Sequence, residues 1–134
     1  MLTFKNLITL VFSLFSAVVF AGATPQISQQ ELLTALKAPE HNIVVLDARS
    51  AQEYENGHIA NAINVSHNAI KENLNYLSQY KNKTVVVYCR SGRRASVAEG
   101  VLAENGFKNL RHLTGDMNGW LEAKLPVVTG KDAH

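Results

Sequence analysis

The stretch Thr84-Val85-Val86-Val87-Tyr88-Cys89-Arg90-Ser91-Gly92-Arg93-Arg94-Ala95 decides how this chain folds. Its opening residues are β-branched or aromatic and apolar on both sides of the alternation, the composition of a central parallel strand covered above and below. Ala95, Ala98, Val101 and Leu102 then share one face at helical spacing, so a helix is expected to begin near Ala95. Gly106 follows as its stop, with Phe107 placed for the accompanying apolar contact. Strand, short loop and helix in that order belong to a parallel α/β sheet, whose ligands bind beyond the carboxyl ends of the strands. Cys89 stands at such an end.

Outward from this unit the chain repeats the same alternation at short intervals, as a compact α/β domain does. Toward the N-terminus, Ser28-Gln29-Gln30-Glu31 has the form of a capping box, and Leu32, Leu33 and Leu36 predict a helix to about Lys37, stopped by Pro39. Ile43-Val44-Val45-Leu46 reads as a buried strand ending at Asp47. Ser50-Ala51-Gln52-Glu53 is a second capping box, on a short helix closed by Gly57. Ala62 to Val65 predicts a short strand, and Ile70, Leu74 and Leu77 predict a helix from Asn68 to Gln79. Beyond Gly106, Asn109 to Leu113 predicts a last strand, and Asp116 to Leu121 a turn or short helix carrying Trp120.

A length of 134 residues, 46 % of them apolar, allows one domain with an ordinary core. The N-terminal end reads differently, since Lys5 is the sole charge before Glu31 and Leu7 to Phe20 is almost unbroken apolar sequence. Ala21-Gly22-Ala23 supplies the small-x-small pattern of a signal peptidase site. The apolar run is short against the roughly 20 residues that span a bilayer. The expectation is therefore a cleaved signal peptide over residues 1–23, a folded domain over 24–134, no stable membrane anchor after cleavage, and a periplasmic or secreted location. Once Lys5 is removed, cationic and anionic side chains nearly balance, so bulk charge suggests neither nucleic acid nor a membrane surface as partner.

The composition holds a single cysteine, which is unusual for an exported protein because oxidising compartments favour pairs. Cys89 is then either an inert thiol at a strand end or a reactive one kept alone. The loop after it favours the second, since amides at a helix start, the helix dipole and Arg90, Arg93 and Arg94 all stabilise an ionised sulfur. Gly92 suits a loop that curls its amides inward around an anion. No Cys-x-x-Cys pair is present for redox exchange, no residues at metal-ligand spacing accompany Cys89, and no Gly-rich nucleotide fingerprint appears. His41, His58, His67, His112 and His134 are scattered and read as surface or hydrogen-bonding residues. Neither a cofactor nor a metal is expected.

Five pieces in order carry a family resemblance across roughly Ile27 to Val128. They are Leu46-Asp47-Ala48-Arg49 with Glu53-Tyr54; Gly57-His58-Ile59 with Ala62-Ile63-Asn64; Val85 through Ala95; Gly106-Phe107; and Leu113-Thr114-Gly115-Asp116-Met117 before Trp120. Together they resemble the rhodanese domain. One local departure is Asp116, where the family usually shows a second glycine.

The resemblance implies a five-stranded, mainly parallel sheet flanked by helices on both faces, with Cys89 as nucleophile. By that analogy Cys89 takes the outer sulfur of thiosulfate, releases sulfite, and passes the sulfur on to cyanide or a thiol. Arg90, Arg93 and Arg94 would neutralise this anionic donor, and backbone amides from Ser91, Gly92 and onward to Ala95 would hold the terminal sulfur. Asp47, Arg49 and His58 match family positions and are expected to support the loop structurally. Three alternatives stand beside this reading: a carrier of polysulfide or persulfide sulfur with a protein partner, a cysteine phosphatase or arsenate reductase, and a non-catalytic binding module. The spacing Cys-x-x-x-x-Arg is short for the oxyanion enzymes, and the intact cysteine argues against the binding module.

Overall fold

The computed structural model describes residues 23–131; residues 1–22 of the expected signal segment, and His134, lie outside the described residues. Five strands form one sheet: β1 (Gln26–Ile27), β2 (Ile43–Asp47), β3 (Ile63–Asn64), β4 (Thr84–Tyr88) and β5 (Leu110–Leu113). Their order is β1-β5-β4-β2-β3, and every pairing is parallel. β4 is central, as its two-sided apolar sequence requires.

Alternation along β4 sends its residues into two cores. Val85 and Val87 continue into Cys89 on one side, against Ala95, Ala98 and Leu102 of α4 (Arg93–Glu104), with Leu77 of α3 (Leu74–Leu77) beside them. Val86 and Tyr88 face the other side, against Leu32 of α1 (Gln29–Leu36), Tyr54 of α2 (Ala51–Asn56), and Met117 and Trp120 of α5 (Asp116–Glu122). Helices thus cover both faces.

Local signals account for three helix ends. Ser28 accepts the Glu31 N–H at the start of α1, and at α2 the box is complete, with the Ser50 side chain and Glu53 side chain each accepting the other's backbone N–H. α4 closes at Gly106, whose φ of 89° lets its N–H reach the Ala103 carbonyl and the Phe107 N–H reach that of Leu102.

Two elements differ from expectation. The single helix expected from Asn68 to Gln79 is instead a 3₁₀ turn (Lys71–Asn73), the one-turn α3, and a second 3₁₀ turn (Ser78–Tyr80). Asn73 bonds its side-chain amide to the Ala69 carbonyl, Ser78 its hydroxyl to Asn75, and Gln79 its amide to Tyr76, local bonds that compete with a continuous ladder. The other is β1, which lacks any strand signal of its own and exists because Gln26 and Ile27 fall opposite His112 and Leu113 of β5.

Candidate active site

At the carboxyl end of β4 the chain turns from Cys89 to Gly92 and enters α4. Gly92 has φ 117°, a left-handed conformation that suits glycine. Its N–H donates to Cys89 Sγ at 3.0 Å, so the loop curls an amide onto the sulfur. Arg93, Arg94 and Ala95 open the helix, and their amides have no carbonyl partner within it. Cys89 itself is 1 % exposed, with the loop over it.

Arg90, Arg93 and Arg94, expected to act as one cationic set, do not share one environment. Arg90 and Arg93 are exposed. Arg94 is half-buried and grips Glu53 of α2 through two parallel bonds of 2.7 and 3.0 Å. This fork holds the Glu53 carboxyl down to about 2. It also raises the Arg94 guanidinium, with a smaller contribution from the charge of Cys89, so Arg94 lies within electrostatic reach of the sulfur. In the sequence Glu53 reads as a capping residue and as part of the family resemblance; its bond to Arg94 depends on a partner far along the chain.

Behind the loop, the ends of β2 and β4 carry a buried polar network. Asp47 accepts from the Arg49 guanidinium at 2.7 Å and from the Tyr88 hydroxyl at 2.7 Å, while Arg49 also donates to the Gly57 carbonyl. Burial and the Asp47 charge together push the Tyr88 hydroxyl far above its ordinary value. His58 stacks on Tyr54 with ring centroids 3.6 Å apart, its Nδ1 hydrogen-bonded to the Tyr54 carbonyl. Asp47, Arg49 and His58 therefore sit together beside the strand end that bears Cys89. None of them contacts the sulfur in a hydrogen bond.

A second polar group was not anticipated. His112 of β5 lies between two carboxylates, Nδ1 at 2.7 Å from Glu99 and Nε2 at 3.0 Å from Asp116. The hydrogen bond to Asp116, then that to Glu99, lifts the imidazole to about 10, so it is a cation at neutral pH. Asp116 also accepts the Cys89 N–H, and the N–H groups of Met117 and Asn118 bond the carbonyls of Cys89 and Arg90. The first turn of α5 thus holds the loop from below. A cavity of about 850 Å³ opens beside this group, lined in part by Ser91, Gly92, Arg93, Ser96 and His112; Cys89 is not among its walls.

Chemically, the arrangement offers one thiol at a strand end with an amide directed at it, cations nearby, and, among the described residues, no general base hydrogen-bonded to the sulfur. Such a site suits a nucleophile that is used as the anion and needs no proton removed during attack.

The family model described as Rhodanese-like domain matches residues 28–123. Among curated relatives, a tRNA uridine(34) hydroxylase of Buchnera aphidicola is 38 % identical over 78 residues, covering 55 % of this chain and 25 % of that protein. One of Photorhabdus laumondii is 39 % identical over 74 residues, covering 52 % and 21 %. The chain spans about a quarter of the length of these relatives. Among solved structures, a rhodanese-related protein from Thermoplasma volcanium superposes with a TM-score of 0.67 at 30 % identity, covering 78 % of this chain and 97 % of that one. A thiosulfate sulfurtransferase from Pseudomonas aeruginosa gives 0.68 at 24 % identity, covering 81 % and 21 %, a likeness of fold.

Proposed function

This chain belongs to the rhodanese-like domain family, and we propose that it transfers sulfane sulfur through a persulfide on Cys89, with thiosulfate as donor and cyanide or a thiol as acceptor. The observation that carries the reading is the Gly92 N–H directed at Cys89 Sγ at 3.0 Å, which stabilises negative charge on that atom. In the first half-reaction the thiolate attacks the outer sulfur of thiosulfate. The sulfur–sulfur bond breaks and sulfite leaves with the electron pair. In the second, cyanide or a thiolate attacks the terminal sulfur of the persulfide and the Cys89 thiolate departs. Neither step requires an oxidant, a cofactor or a proton acceptor.

One observation favours a second reading. With Arg94 engaged by Glu53, Arg90 and Arg93 are the loop cations left to meet a compact dianion, which suits a donor that brings about one charge to the loop, such as one end of a polysulfide chain or a partner protein's persulfide. The hydroxylase activity named for the curated relatives is not carried over, because this chain spans about a quarter of them. Export forms part of the proposal on the strength of the apolar run and the Ala21-Gly22-Ala23 pattern; intact mass of material recovered from the periplasm tests it.

The deciding experiment is intact-mass measurement after incubation with thiosulfate. A gain of one sulfur atom that disappears on adding cyanide, with thiocyanate formed, and that is absent from Cys89→Ser, is the expected result. A gain with polysulfide alone replaces the donor with the second reading. Hydrolysis of an aryl phosphate faster than sulfur transfer overturns both.

A further inference from the structure

Asp116 has a backbone φ of 53°, in the left-handed region that residues other than glycine rarely occupy, and it is 4 % exposed. Strain and burial of a carboxylate both cost free energy. A glycine, the residue the family pattern usually shows here, would avoid both. What the acid adds is a set of contacts. Oδ1 accepts the Cys89 N–H at 2.9 Å, and Oδ2 lies 3.0 Å from His112 Nε2, whose other nitrogen meets Glu99, also 4 % exposed.

The far end of the loop passes close to the same carboxylate. A Cβ placed on Gly92 would lie 3.2 Å from Asp116 Oδ2. The turn that closes from the Gly92 N–H to Cys89 Sγ is therefore hydrogen-bonded to Asp116 at its Cys89 end and lies near the same carboxylate at its Gly92 end.

We propose that Asp116 is a positioning residue for the sulfur-bearing loop: braced from behind by His112 and Glu99, its carboxylate fixes the Cys89 amide and keeps the Gly92 N–H aimed at the sulfur. The inference rests on the reading that Cys89 carries the transferred sulfur. Asp116 acts through the backbone, since Oδ1 is engaged by the Cys89 N–H and Oδ2 by the imidazole. The polar group of Glu99, His112 and Asp116 is tolerated in the interior because each member is hydrogen-bonded to the next. His112, held up to about 10 first by Asp116 and then by Glu99, stays a cation and so donates to both carboxylates at neutral pH.

The test compares Asp116→Gly and Asp116→Asn with the parent protein. Amide exchange is followed residue by residue by NMR, Cys89 is alkylated with iodoacetamide, and sulfur transfer from thiosulfate to cyanide is measured at steady state. Glycine relieves the strained φ, so this variant is expected to fold. Its Cys89 and Gly92 amides are expected to exchange about tenfold faster or more, with β2 unchanged, and alkylation rises. In the transfer assay kcat falls about tenfold while KM stays within about twofold. Asparagine keeps an Oδ1 acceptor and tolerates the left-handed region, and it restores exchange and kcat to within about threefold.

Parental exchange and alkylation in Asp116→Gly, or failure of Asp116→Asn to rescue, overturns the proposal. If Asp116→Gly does not fold, His112→Leu removes the brace while leaving the loop sequence intact, and parental exchange there overturns it equally. Should the parent protein form no thiocyanate from thiosulfate, the functional reading fails, while the exchange and alkylation measurements still decide whether Asp116 positions the loop.

Discussion

Arg94 and Glu53 join the first turn of α4 to the first turn of α2 by two parallel bonds, Nη1 to Oε1 at 2.7 Å and Nη2 to Oε2 at 3.0 Å. The charge that Arg94 brings to the sulfur is thereby offset by a carboxylate that also completes the α2 capping box.

Glu53→Gln removes the opposing charge and keeps an acceptor for the cap. The site gains a full positive charge relative to the parent, so KM for thiosulfate is expected to fall by about threefold at low ionic strength. The gain shrinks in high salt. A rise in KM would mean instead that Glu53 is needed to aim Arg94, and steady-state kinetics at two salt concentrations separates the outcomes.

His112 links folding to alkaline pH. Its imidazole is lifted from 6.5 to about 10 by Asp116 and Glu99, so the folded state holds this proton more tightly than the unfolded chain. The stabilisation is fully present below about 6.5 and is lost as pH rises through about 10. Melting temperature should decline across that window more steeply in the parent than in His112→Gln, and NMR should find the His112 ring still protonated at pH 8. A neutral ring at that pH contradicts the geometry described.

Gly92→Ala probes the closest approach in the loop. The left-handed φ of 117° and a Cβ 3.2 Å from Asp116 Oδ2 both penalise a side chain. Stability is expected to fall by about 1–2 kcal/mol, and persulfide formation to fall with it as the turn reopens. Denaturant titration and intact mass read the two effects. Unchanged values for both would show that the loop relaxes freely.

Asp47→Asn tests the buried network. Asp47 is fully buried and balances Arg49, so its neutralisation strands a guanidinium in the interior. The expected loss is about 3–5 kcal/mol by chemical denaturation. Replacing both residues, as Asp47→Leu with Arg49→Leu, should cost less than the single change, because no uncompensated charge is left. A double variant weaker than the single one would argue against ion-pair bookkeeping at this position.

Much of the fold was legible in short stretches because the signals act over a turn or two. The two-sided apolar run of Thr84 to Tyr88 specifies a covered central strand, Ser50 and Glu53 satisfy their own helix start, and Gly106 ends α4 through bonds to Ala103 and Leu102. The position of Cys89 at the carboxyl end of β4, before a helix, follows from the same local order.

What the tertiary structure decided is which side chains meet. β1 is a strand only because β5 lies beside it, and the region expected as one helix breaks where Asn73 and Ser78 find nearer carbonyls. Arg94 reads as a free loop cation until α2 brings Glu53 against it. His112 reads as a surface or hydrogen-bonding residue and Asp116 as a turn or helix start that departs from the family glycine; that they meet, with Glu99 as third member, is decided when α4, β5 and α5 pack together behind Cys89. Periodicity and caps are recorded over neighbouring residues, whereas a contact between distant side chains depends on the packing of whole elements and leaves no mark in either local sequence.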